Sequence, residues 1–126
     1  MSDSENEIIY FSDGTLWFTK AESVNDNDIE VTTVTLGVSP DAVEELGGIK
    51  SIKLADVGDD CDRGDVLATL RGEDGVLKIT APVAGYVAEI NEQAAGDFSL
   101  VSDDPTQEGW LVKIEAQDAS DLHDYE

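Results

Sequence analysis

Apolar residues come in short, strand-length runs along most of this chain, broken by clusters of glycine, asparagine and aspartate. Ile8-Ile9-Tyr10-Phe11 and Thr15-Leu16-Trp17-Phe18-Thr19 read as two strands joined across Ser12-Asp13-Gly14. Asn25-Asp26-Asn27-Asp28 is a turn, rich in side chains that bond their own backbone. Ile29 to Val38 is the most β-branched run, and such residues pack well on a pleated surface, so it predicts a core strand. The pattern then switches. Ser39 can cap a helix, Pro40 suits its first position, and Asp41, Glu44 and Glu45 follow. Val43 and Leu46 give a small apolar face and Gly47 can end the helix, which predicts one short helix near residues 40–46. Ile49 to Leu54 alternates as a strand, and Asp56 to Asp60 is a turn. Tyr86 to Ile90 and Trp110 to Ile114 are further strands. Between them Asn91 to Asp97 reads as a polar loop or one helical turn, and Phe98 to Val101 leads into a turn at Ser102-Asp103-Asp104-Pro105.

The centre of the chain is Gly64 to Gly85. Two apolar arms, Gly64–Leu70 and Val76–Val83, flank a polar tip, Arg71-Gly72-Glu73-Asp74-Gly75. Asp-Gly between β-prone runs signals a hairpin, because glycine accepts the positive φ that tight hairpin turns need. Ala81-Pro82-Val83-Ala84-Gly85 then reverses the chain again. A hairpin protruding from a small β-fold suits the display of a group at its tip.

Many short strands and one short helix predict a mainly β fold, a small sandwich or flattened barrel. The expected organisation is a loose amino terminus at residues 1–7, a single domain at 8–116, and an acidic tail at 117–126 with room for a helical stub. The length, 126 residues, fits one domain, and 40% hydrophobic content supports a core that needs no disulfide or metal.

Charge changes the picture most. With 29 acidic and 7 basic residues the formal net charge is −22. Such a chain repels nucleic acid and anionic membranes. The acids are spread along the chain, which fits either adaptation to high salt or attraction of a basic protein partner. No run approaches a membrane span, and the amino terminus lacks the basic and apolar regions of a secretory signal, so the expected location is the cytoplasm.

Candidate chemistry is sparse. Cys61 is the only cysteine and sits in Asp-Asp-Cys-Asp, where negative neighbours disfavour a thiolate; a small, half-buried role is expected. His123, the only histidine, lies in the acidic tail. No nucleophile–base constellation or phosphate-binding glycine loop is present, and the chain is not expected to be an enzyme. Asp59, Asp60 and Asp62 cluster, as do Asp13 and Asn25 to Asp28, but no EF-hand pattern follows, and no metal site is expected.

Three blocks of residues carry a family resemblance. They are Thr35-Leu36-Gly37-Val38-Ser39 with Ala42, Leu46 and Gly47; Gly64-Asp65 through Ala81-Pro82-Val83-Ala84-Gly85; and Leu100 to Pro105 with Gly109-Trp110-Leu111-Val112-Lys113-Ile114. In this order and spacing the chain, over about residues 8–122, resembles the glycine cleavage H-protein family of the biotinyl/lipoyl carrier superfamily. Trp17 matches that family's early His-Glu-Trp, with Thr15 and Leu16 in place of the first two residues. The resemblance implies a hybrid-barrel β-sandwich with a protruding hairpin. It also implies a lysine at the hairpin tip that carries a lipoyl group in amide linkage. That arm shuttles an aminomethyl group and electrons among the decarboxylase, aminomethyltransferase and dihydrolipoyl dehydrogenase components, and the carrier makes and breaks no bonds itself. The resemblance also implies longer helices after the position of Leu122, so a short carboxyl terminus is expected as a further departure.

The departure lies at the tip. Counted without gaps from Gly64 or from Pro82, the lipoyl-lysine position falls on Asp74, which has no amine to acylate. Lys78 is the only lysine in the hairpin, four residues on and roughly 13 Å along an extended strand at ~3.3 Å per residue. Two readings follow. In one the protein carries no lipoate and works as a non-catalytic binding or regulatory protein for glycine-cleavage or lipoate-handling enzymes, with Arg71, Glu73 and Asp74 as the partner surface. In the other it is a lipoyl carrier modified at Lys78 or another unusual site. As a turn residue before glycine, Asp74 is also structurally ordinary.

Overall fold

The computed structural model describes residues 8–11, 14–24, 26–103 and 109–116. The expected loose amino terminus, the acidic tail with its stub, His123, Asp13 and Asn25 lie outside the described residues. Nine strands and three helices follow in the order β1 (Ile9–Phe11), β2 (Leu16–Val24), β3 (Glu30–Val38), α1 (Pro40–Leu46), β4 (Ile49–Leu54), β5 (Asp60–Cys61), β6 (Val66–Gly72), β7 (Val76–Thr80), β8 (Gly85–Ile90), α2 (Glu92–Gly96), α3 (Ser99–Asp103) and β9 (Val112–Ala116) among the described residues. They form two antiparallel sheets, one of six strands ordered β1-β2-β3-β9-β8-β5 and one of three ordered β4-β6-β7.

The core lies where alternating strands turn their apolar sides inward. Along β9, Val112, Ile114 and Ala116 are buried while Lys113 and Glu115 between them are not. Phe18, Val34 and Leu36 from the large sheet and Leu70 and Ile79 from the small one are fully buried in one cluster. Phe11 and Phe18 meet edge to face, with ring centroids 5.7 Å apart, the arrangement their quadrupoles favour. Trp17 is also buried: its ring covers Gly37, where any side chain would collide with it, and its indole N–H donates to the Val38 carbonyl at 3.0 Å.

Helix α1 has the predicted ends. The Ser39 hydroxyl accepts from the Ala42 N–H at 3.2 Å, Pro40 opens the helix, and Gly47 closes it with φ +71°. Ala42, Val43 and Leu46 are its buried face.

Several boundaries differ from those read off the sequence. The second strand runs on to Val24, because all of β2 pairs with β3 as far as Val24↔Glu30. The last strand begins at Val112 rather than Trp110. Residues Ser99–Asp103 form α3 where the sequence predicts an approach to a turn, and a five-residue helix is too short to display an apolar period; Asp104 and Pro105 of the expected turn lie outside the described residues. Of the two options for 91–97 the helical one holds: Asn91 accepts from the Ala94 N–H, and its amide donates to the Trp110 carbonyl at 2.7 Å. Asp60 and Cys61 form a two-residue strand against Tyr86 and Gly85, a pairing with no local signature.

Candidate functional site: the central hairpin and its tip

Strands β6 and β7 form the expected hairpin, with Ala68↔Ile79, Thr69↔Lys78, Leu70↔Leu77 and Arg71↔Val76 in register. Its base is held by paired backbone bonds, the Gly64 N–H donating to Ala81 O at 2.8 Å and the Ala81 N–H to Asp65 O at 2.9 Å. Pro82, lacking an N–H, sits just beyond them, buried with Ala81 and Val83. Asp65 also accepts from the Asp62 N–H at 2.9 Å, so the acids before β6 brace a turn. Among the described residues no group of three or more His, Cys, Asp or Glu side chains converges on a metal position.

The tip is built differently from the expected turn. Gly75 is not in the left-handed region. The Gly72 N–H donates to Gly75 O at 2.9 Å, and Glu73 and Asp74 form the bend between them. The bend is steadied from outside the hairpin: the Asp74 N–H donates to the carbonyl of Leu46, the last residue of α1, at 2.9 Å. Close approach explains two glycines. A side chain on Gly72 would collide with the carbonyls of Leu46 and Gly48, and one on Gly47 would collide with the Asp74 carboxylate. The sequence reading missed this helix-to-tip contact; the Gly47-Gly48 pair facing Gly72 was its one signal.

The candidate residues fall into place around this contact. Glu73 and Asp74 are exposed at the bend, and Arg71 is exposed one residue before Gly72. Glu73 pairs with Lys50 at 3.6 Å, an exposed contact worth about 0–1 kcal/mol. The Asp74 carboxylate lies against Gly47, at the carbonyl end of α1, where the helix dipole favours a cation over an anion. Nothing in the local backbone requires an aspartate there. Lys78 is exposed but lies inside β7, opposite Thr69, away from the bend. Cys61 is more buried than expected, at 5% exposure. Burial, and then the negative charges of Asp65, Asp62 and Asp60, push its thiol up from the ordinary value, against the Gly85 backbone hydrogen bond that lowers it.

Residues 16–125 match the family profile described as glycine cleavage H-protein. A glycine cleavage system H protein of Vibrio parahaemolyticus is 37% identical over 113 residues, covering 89% of this chain and 88% of that protein. One from Thermotoga maritima is 33% identical over 96 residues, covering 76% of this chain and 77% of its own. The chain belongs to the glycine cleavage H-protein family. The crystal structure of the family's protein from Mycobacterium marinum superposes with a TM-score of 0.71 at 23% identity, over 94% of this chain and 96% of that one, which shows the shared fold. The H-protein sandwich expected from the three sequence blocks is therefore the observed one. No helix among the described residues is long and apolar enough to cross a membrane.

Proposed function

We propose that this chain is an H-protein relative that carries no lipoate and acts by binding. Its hairpin tip, Arg71, Glu73 and Asp74, serves as a recognition surface for glycine-cleavage or lipoate-handling enzymes. The carrying observation is Asp74. It occupies the bend of the hairpin, where the family resemblance places the lipoyl lysine, and amide attachment needs an amine that a carboxylate lacks. The residues at the tip do not fit the group, so no transfer chemistry is assigned to them.

Lys78 keeps a second reading in play, since it is exposed. Its extended setting inside a strand differs from a bend, and the binding reading takes precedence on that ground. Intact-mass measurement on protein from a lipoylation-competent host tests both. The expected result is an unmodified chain; a lipoyl adduct on any residue overturns the proposal, and peptide mapping to Lys78 establishes the alternative. In the same host, Asp74→Lys is expected to acquire the adduct, because the bend and its support from Leu46 are in place. Its stability should stay within about 0.5 kcal/mol of the parent, since the position is exposed.

A further inference from the structure

The chain carries 29 acidic residues, yet strands β4, β6 and β7 contain none of them. Those three strands hold four of the seven basic residues, Lys50, Lys53, Arg71 and Lys78. Register places three of the four on one face. Lys53, Thr69 and Lys78 form one row across the small sheet, and Ser51, Arg71 and Val76 form the next. Directly opposed residues of antiparallel strands point to the same side. Here that side is the outer one, because the alternate rows, Ile52-Leu70-Leu77 and Leu54-Ala68-Ile79, face the core.

Lys50 pairs with Glu73, and Lys113 pairs with Glu89 and lies over the Trp110 ring. Lys20 and Arg63 have interactions of their own. Lys53, Arg71 and Lys78 have neither an ion pair nor a hydrogen-bond partner among the described residues. Beside them Val76 is 52% exposed, which gives the face an apolar contact point. Lysines on edge strands discourage edge-to-edge pairing, and that accounts for Lys53 on β4 and Lys78 on β7. It does not account for Arg71, on the central strand β6.

We infer that this outer face is a docking surface for an acidic segment of a partner protein. The face is continuous with the hairpin tip through Arg71, and the inference rests on the tip-recognition reading above. Charge complementarity selects the occupant. Three cations in neighbouring rows, without a partner among the described residues, attract carboxylates at short range, while salt confines the repulsion from the remaining surface to about 10 Å at 0.1 M. A second copy would bring another −22 of charge, which opposes self-docking.

The test is a titration of the isotope-labelled full-length chain with a short synthetic glutamate-rich peptide, followed through backbone amide shifts. Shifts are expected to concentrate at Lys53, Thr69, Arg71, Val76 and Lys78 and to vanish near 0.5 M salt. The triple variant K53Q/R71Q/K78Q should bind about tenfold more weakly, and Arg71→Gln alone severalfold, with spectra that confirm the fold. Scattered or absent shifts overturn the inference. So do contacts between this face and residues 117–126 in the free chain, self-association lost in the triple variant, or tighter binding of oligothymidylate at the same face. Shifts confined to Glu73, Asp74 and Gly75 overturn the sheet face while sparing the tip reading. Shifts on the sheet that survive Glu73→Ala and Asp74→Ala unchanged support the face and count against the tip.

Discussion

The two sheets share one core but meet solvent in opposite ways. The six-stranded sheet carries Glu22, Glu30, Asp60, Glu89 and Glu115 against Lys20 and Lys113, in keeping with the acidic balance of the chain. The three-stranded sheet has no acid in its strands. Inside, they are alike: Val34, Leu36 and Ile114 of one and Leu70 and Ile79 of the other are each fully buried. The lesson is a division of labour between faces. Inner faces are governed by packing and are interchangeable in kind. Outer faces are free to vary in charge, and a departure from the overall acidic composition there is information about contacts.

That contrast can be attacked first from the inside. Leu70→Ala should destabilise by about 2–5 kcal/mol, as should Ile114→Ala across the core, measured by chemical denaturation. A loss below about 1 kcal/mol at Leu70 alone would mean that the small sheet is a loosely attached flap. Gly72→Ala comes next, at about 1–3 kcal/mol, because the new methyl must push aside the Leu46 and Gly48 carbonyls; thermal melts read it.

Smaller is the pH effect at Cys61. Its thiol is held above the ordinary 9.0 in the folded chain, so the unfolded chain loses its proton first. Stability from this group is therefore whole below that value and falls as pH rises through it. Cys61→Ala should flatten the decline of the denaturation midpoint on the alkaline side. A residual decline is expected from Tyr86, whose hydroxyl donates to Glu115 at 2.7 Å and is likewise held above its ordinary 10.0. Lys50→Ala is expected to change stability least, by no more than about 1 kcal/mol, since both partners of its ion pair are 64% exposed.

Much of the fold is legible in the sequence. The β-branched run at 29–38 could bury a face only as a strand, and Ser39-Pro40 with Gly47 marks the two ends of α1 through local capping chemistry. The family resemblance, counted from Gly64 or Pro82, implies that the lipoyl-lysine position falls on Asp74, and the structure has Asp74 in the bend of the hairpin. Features that depend on distant partners were not legible. Strand β5 exists only because Tyr86 and Gly85 lie beside it. The sequence predicts an Asp-Gly turn at the tip, yet the bend at Glu73-Asp74 is supported from Leu46, far from it along the chain. Lys53, Arg71 and Lys78 look scattered in the sequence and become neighbours only once register is known.

The bond from the Asp74 N–H to Leu46 O has a mechanical consequence. It makes the end of α1 the fulcrum of the hairpin. A partner that pulls on the tip must either take the last helical turn with it or break that link. Fraying at residues 43–47 and release of residues 72–75 are then a single event, and their amides should open to solvent deuterium at one common rate.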